Sequence, residues 1–149
     1  IIAMGADHAG VEIKARLAAL LSDAGMEVQD CGPADTQSVD YPDYAQRVGA
    51  AVASGKASLG ILVCGTGIGM SIAANKMPHI RAAKCNDAFE AKMCRRHNNA
   101  NVLCLGSRVL DPSVMDNIAL TFIKEEFEGG RHEKRVAKMM SLGEDNTSS

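Results

Sequence analysis

Apolar and polar positions alternate in blocks along this chain, and the spacing within each block switches between continuous and helical. Residues 1–6, IIAMGA, form a short apolar run closed by Asp7-His8-Ala9-Gly10. Ile13, Leu17, Leu20, Leu21 and Ala24 then recur at three- and four-residue steps, which predicts a helix with Glu12 and Arg16 paired on its outer face. Gly25 stops that helix, MEVQDC (26–31) reads as a strand, and the turn-rich GPADTQSVD follows. Asp40-Tyr41-Pro42-Asp43 marks a helix start, since proline suits a first turn whose N–H groups have no intrahelical partner. Tyr44, Val48, Ala51 and Val52 form its apolar stripe and Ser54-Gly55 its end.

LGILVC (59–64) is a buried-strand run, and MSIAANK opens a helix that Pro78 terminates. IRAAKC (80–85) and NVLCLG (101–106) are two further strands, separated by the helical DAFEAKMCRRH (87–97). Asp111-Pro112 starts the last long helix, with Met115, Ile118, Ala119, Phe122 and Ile123 on its inner side. Gly129-Gly130 breaks it, a short helix carries Val136, Met139 and Met140, and residues 143–149 read as a disordered tail. Strands that are apolar almost throughout, alternating with helices, predict a parallel sheet covered on both sides, an α/β domain over residues 1–142. In such folds ligands bind beyond the carboxyl ends of the strands. The positions to inspect are therefore Asp7-His8, Cys64 to Met70, Asn86-Asp87 and Gly106 to Arg108.

Composition narrows the partners. The 149 residues suit one core, and with two Tyr, three Phe and no Trp that core must be aliphatic. A net charge of -2 gives no long-range pull toward nucleic acid or anionic membrane, so an anion site must come from a few local cations and backbone N–H groups. No segment approaches the roughly 20 apolar residues of a membrane helix. IIAMGADHAG has no basic segment before its apolar residues and does not read as a signal peptide. The chain begins at Ile1, so an initiator residue is expected upstream. Five cysteines (31, 64, 85, 94 and 104) form no C-x-x-C pair, which fits reduced thiols in a cytoplasmic protein better than a disulfide framework or a zinc site.

The loop CGTGIGM after the third strand is the densest chemical signal. A dinucleotide fingerprint needs G-x-G-x-x-G after the first strand, whereas the spacing here is G-x-G-x-G after the third. A phosphatase-type loop needs an arginine six positions after the cysteine, and Met70 stands there. What remains is a catalytic loop at a helix N-terminus, where the dipole and N–H donors stabilise a Cys64 thiolate. The same N–H groups can hold an oxyanion that develops in a transition state. Thr66 adds a hydroxyl that can donate to a substrate oxygen. A buried cysteine is ordinarily a small hydrophobe, which is the reading for Cys31, Cys85 and Cys104; the glycine loop sets Cys64 apart. Among the four histidines, His79 reads as an inert turn residue, while His8 and His97 are candidates for proton transfer or phosphate binding. Arg131 and Arg135 lie four apart in GGRHEKR, which is either a solvated face paired with Glu133 and EEFE or a two-arginine phosphate clamp. Beyond two glycines, this segment could reach a partner subunit and bury Val136, Met139 and Met140 there.

GADHAG, SVDYPDYA, GILVCGTGIGMSIAANK, RRHNNANVLCLGSRV and EGGRHEKRV, in this order from Ile1 to about Met140, resemble the type B ribose-5-phosphate isomerases, in a family that also holds allose- and galactose-6-phosphate isomerases. The resemblance implies a Rossmann-like, three-layer α/β/α sandwich with a five-stranded parallel sheet. It also implies a homodimer or tetramer with sites at the subunit interface, a sugar phosphate substrate, and no metal or organic cofactor. By the same resemblance Cys64 looks like the general base between C1 and C2, and Gly65, Thr66, Gly67, Ile68 and Gly69 like the anion hole for a cis-enediolate. His97, supplied with Asn98 by the neighbouring subunit, resembles the ring-opening histidine. Asp7 looks like a ligand for sugar hydroxyls, and Tyr41 would line the pocket. His8, Arg131 and Arg135 resemble the phosphate contacts, with Arg108 a further candidate from across the interface. One branch of the family has no such cysteine and a glutamate where Met70 stands; this chain resembles the cysteine-base branch.

Overall fold

A computed structural model describes residues 1–144. Five strands, β1 (Ile2–Ala6), β2 (Val28–Asp30), β3 (Leu59–Cys64), β4 (Ala82–Lys84) and β5 (Val102–Gly106), form one parallel sheet in the order β2-β1-β3-β5-β4. Helices α1 (Val11–Asp23), α2 (Tyr41–Ala53), α3 (Ile68–Asn75), α4 (Ala88–Arg96), α5 (Pro112–Lys124) and α6 (Arg131–Ser141) follow in chain order, with a 3-10 turn at His8–Gly10. Among the described residues no helix is long and apolar enough to cross a membrane. The tail expected at 143–149 lies largely outside the described residues; Gly143 and Glu144 close α6 in a turn.

Strand alternation divides the core in two. Ile2, Met4, Ile61, Val63, Leu103 and Leu105 face one side, against Leu17 and Leu21 of α1, Ala91 and Cys94 of α4, and Met115, Ile118 and Phe122 of α5. Ala3, Leu62, Cys64, Val102 and Cys104 face the other, against Val48 and Val52 of α2 and Met70 and Ala74 of α3. The sheet therefore has helices on both faces, which is why its central strands carry almost no polar residue.

Three details depart from the periodicity. Arg16 does not pair with Glu12; its guanidinium takes Asp116 of α5 in a two-point contact at 2.6 and 3.1 Å, a partner 100 residues away. Lys14 is buried on α1, donating from Nζ to Asp30 at 2.7 Å and to the Pro33 carbonyl at 2.6 Å, so it ties the chain after β2 to the helix. The edge strands are shorter than their apolar runs. Arg81 leaves the β4 ladder because its N–H goes to the Asn101 side chain and its Nε to the Asn99 carbonyl. At the outer edge the Asn75 side chain exchanges both its donor and its acceptor with Ala82, covering backbone that would otherwise be unpaired.

Candidate active site

The reversal of strand order falls between β1 and β3, where one crossover leaves toward β2 and the next toward β4 and β5. Register puts Ala6 beside Val63 and Cys64 beside Gly106, so three strand exits meet at one end of the sheet. They are stitched together. Asp7 N–H donates to Val63 O at 3.0 Å, Ser107 N–H to Cys64 O at 2.8 Å, and Arg108 N–H to Gly65 O at 3.0 Å. Ser107 Oγ reaches across to Ala9 O at 2.9 Å, joining the first exit to the last. Ser107 is a structural member of this site that the motif reading passed over; its place between Gly106 and Arg108 was the available signal.

Cys64 is 5% exposed, and Gly67 N–H donates to its sulfur at 3.1 Å. That contact requires the chain to double back within three residues, which Gly67 permits by adopting φ +81° just before α3. A Cβ there would meet the Leu105 carbonyl carbon at 3.0 Å. Gly67→Ala is expected to destabilise the fold by about 1–3 kcal/mol, read as a lower denaturation midpoint. Ile68 N–H donates to Thr66 Oγ1 at 3.2 Å, so two amides of the loop already have partners within it.

Of the remaining thiols, Cys85, Cys94 and Cys104 are buried and Cys31 is partly buried, and the hydrogen bond with Cys85 holds Cys94 below the ordinary thiol range. Burial, and then nearby Cys64, pushes Cys104 up; burial, and then Asp30, raises Cys31; its hydrogen bond to Cys94, and then burial, keeps Cys85 protonated. Cys64 alone sits at a helix N-terminus with an N–H aimed at it.

Around the loop, Asp7 Oδ1 accepts from Ala9 N–H at 2.9 Å and caps the 3-10 turn. His8 Nδ1 is buried at this strand exit with no hydrogen-bond partner among the described residues. The Tyr41 ring, 39% exposed at the start of α2, lies over Gly69, where a Cβ would come within 2.7 Å of it. Arg108, expected from a neighbouring chain, already lies beside the loop of its own chain, with Nη1 3.4 Å from the Cβ position of Gly65.

His97, Asn98, Arg131 and Arg135 are elsewhere. His97 closes the C-terminus of α4, and the chain then enters β5 at its amino end. With roughly 3.3 Å per residue, the four steps from Val102 to Gly106 hold that end about 13 Å from the Gly106 position that pairs with Cys64. Helix α6 stays at the same end, because His132 stacks on His97 with ring centroids 4.2 Å apart. Val136 is buried within this chain rather than left for another, while Met139 remains 41% exposed. A cavity of about 840 Å³ also opens at this end, lined by Asn75, His79, Arg81, Asn98, Met139 and Met140, and it is not at Cys64. One copy of the chain thus unites Asp7, His8, Tyr41, the Cys64 loop and Arg108, and separates them from the second group.

Burial, and then the charges of His97 and Arg131, holds the His132 imidazole below its ordinary 6.5, with Glu128 pulling the other way and Arg135 adding to the depression. The unfolded chain then binds more protons than the folded one as pH falls through 6.5. Stability from this site is complete above that value and is lost as pH drops below it. Denaturation compared at about pH 5.5 and 7.5 should show the loss, and His132→Phe should remove it.

The ribose/galactose isomerase family model matches residues 2–139. Ribose-5-phosphate isomerase B of Escherichia coli is 43% identical over 141 residues, covering 95% of each chain. The D-erythrulose-4-phosphate isomerase of Pectobacterium atrosepticum is 42% identical over 139 residues, covering 93% of this chain and 91% of that one. Among solved structures, Clostridium thermocellum ribose-5-phosphate isomerase B superposes with a TM-score of 0.93 at 48% identity, over 95% of both chains. Nearly full coverage in sequence and structure, together with a glycine loop and thiol at the switch point, leads to one conclusion: the chain belongs to the ribose/galactose isomerase family and is an isomerase.

Proposed function

We propose that this protein interconverts ribose 5-phosphate and ribulose 5-phosphate through a cis-enediolate, with no added cofactor. The observation that carries the reading is the Gly67 N–H donated to Cys64 Sγ at 3.1 Å, which puts the sulfur against the amide that caps α3 at the switch point. In the opened aldose the Cys64 thiolate takes the C2 proton while electrons move onto O1. The Cys64 thiol, free to exchange its proton with solvent, delivers a proton to C1, and O2 becomes the ketone as its proton passes to O1. Thr66 and the Gly65–Gly69 loop, two of whose amides are shared with Cys64 Sγ and Thr66 Oγ1, lie against the two oxygens where charge develops, the arrangement in which fixed dipoles are worth most. Asp7 and Tyr41 line the sugar, and His8, donating a ring N–H, stands with Arg108 for the phosphate.

The proposal needs a second copy. His97, the ring-opening group, and Asn98 lie far from Cys64 in one chain, as do Arg131 and Arg135; a partner offering its opposite end would complete each site. The exposed Ile68 and Ile72 on α3, with Val109 beyond β5, give that end an apolar rim suited to burial in a dimer or tetramer. Isomerisation assayed by ketose formation from ribose 5-phosphate, with chelator present, tests the reaction; no turnover overturns it. Allose 6-phosphate or galactose 6-phosphate is the second reading, favoured by the breadth of the matching family, and comparing kcat/KM across the sugars decides between them.

A further inference from the structure

At the amino end of the sheet, residues from three parts of the chain converge on one imidazole. His97 ends α4, Glu128 lies in the extended segment before α6, and His132 sits in the first turn of α6. The rings of His97 and His132 are 12° from parallel with centroids 4.2 Å apart, and Glu128 Oε1 is 3.4 Å from His97 Nε2. The frame beneath them is hydrogen-bonded. Glu128 N–H donates to Arg96 O at 3.0 Å, Arg96 Nε to the Glu125 carboxylate at 2.7 Å, and Arg95 Nε to Glu125 O at 3.1 Å. His132 is 7% exposed, whereas the His97 side chain keeps 36% of its surface open to a ligand.

Three ligating groups this close could suggest a metal site, since their donor atoms all lie within 4.8 Å of one another. The stacking argues otherwise. A ligated ion sits in the plane of each imidazole at roughly 2.1 Å from nitrogen, and two near-parallel, stacked planes share no such point. What the arrangement does supply is orientation. A carboxylate beside one ring nitrogen favours the tautomer with the proton on that nitrogen, and a stacked ring restricts the plane.

We propose that Glu128 and His132 are positioning residues for His97: the carboxylate keeps the proton on Nε2 and the stack holds the ring, so that Nδ1 is presented bare to the sugar. This rests on the ring-opening role given to His97 above. Bare Nδ1 accepts the anomeric hydroxyl proton, the C1–O4 bond breaks as C1=O1 forms, and the imidazolium returns the proton to O4. The histidine ends as it began. The charged and titratable groups facing the pair are Glu128, Arg131 and Arg135, with the Arg96–Glu125 pair alongside.

The test separates ring opening from proton transfer at carbon. Ribulose 5-phosphate cannot close a furanose, because its O5 carries the phosphate. Deuterium entering its C1 from heavy water therefore requires Cys64 but not His97. Glu128→Ala and His132→Ala are expected to lower kcat on ribose 5-phosphate about 10–100-fold while leaving KM and ketose exchange within about 2-fold. His132→Phe, which keeps the stacked ring, should recover most of the lost rate. In nitrogen-15 spectra His97 should be the Nε2-protonated tautomer in the unaltered protein and a mixture in Glu128→Ala. Unchanged kcat in both alanine variants, equal losses in turnover and exchange, or an Nδ1-protonated His97 in the unaltered protein would each overturn the inference. An unaltered protein that neither isomerises nor exchanges would instead overturn the proposed reaction, and the tautomer would still be readable.

Discussion

Replacing Cys64 with alanine or serine is expected to lower turnover of ribose 5-phosphate roughly 10²–10⁴-fold, with KM changed only a few-fold, because the missing base acts in the transition state and not in binding. Alanine removes the acceptor outright. Serine keeps an atom in place, but a hydroxyl is a far weaker source of anion than a thiol and leaves the carbon acid unreacted. Folding should survive both changes, since Cys64 packs at the edge of the α2/α3 core and its loss removes one small group. Deuterium exchange into ribulose 5-phosphate should fall in parallel, unlike the outcome for Glu128 and His132. Near-normal turnover in both variants would remove Cys64 from the mechanism.

Mixing two inactive chains is expected to restore activity. If each site takes Cys64 from one copy and His97 from another, a Cys64→Ala chain and a His97→Ala chain are both inactive alone. Random reassociation makes half of the dimers mixed, and each mixed dimer holds one site with both native residues, so about a quarter of the unaltered activity should return. The β5 geometry underlies the expectation: two groups at opposite ends of a strand about 13 Å long cannot meet on one five-carbon sugar. No recovery after complete exchange of subunits would mean that the site is not shared between copies.

The glycine loop was legible because its signal is local. A cysteine, three alternate glycines and a following helix all lie within a few residues, and hydrogen bonds within that span, such as Gly67 N–H to Cys64 Sγ, follow from the turn itself. Arg16 shows the limit. Helical spacing made Glu12 its natural partner, yet Asp116 on a neighbouring helix offers a two-point contact, and a long flexible side chain follows the better geometry. Lys14 shows it again: nothing in VEIKARL marks this lysine as buried, because its partners, Asp30 and the Pro33 carbonyl, arrive only when β2 docks beside β1. His132 read as part of a basic stretch, and its stack on His97 depends on where α6 returns after the double glycine.

By itself, then, the order of residues determined the alternation of strands and helices, the switch from sheet period to helix period at each boundary, and the thiol-bearing loop at a strand exit, all set by contacts between near neighbours in sequence. Tertiary structure alone decided which strands lie side by side and which side chains meet between elements. It alone stacked His132 on His97 and paired Arg16 with Asp116. The physical reason is that hydrophobic periodicity specifies which face an element buries, whereas the partner that covers the face is chosen by packing among all elements at once.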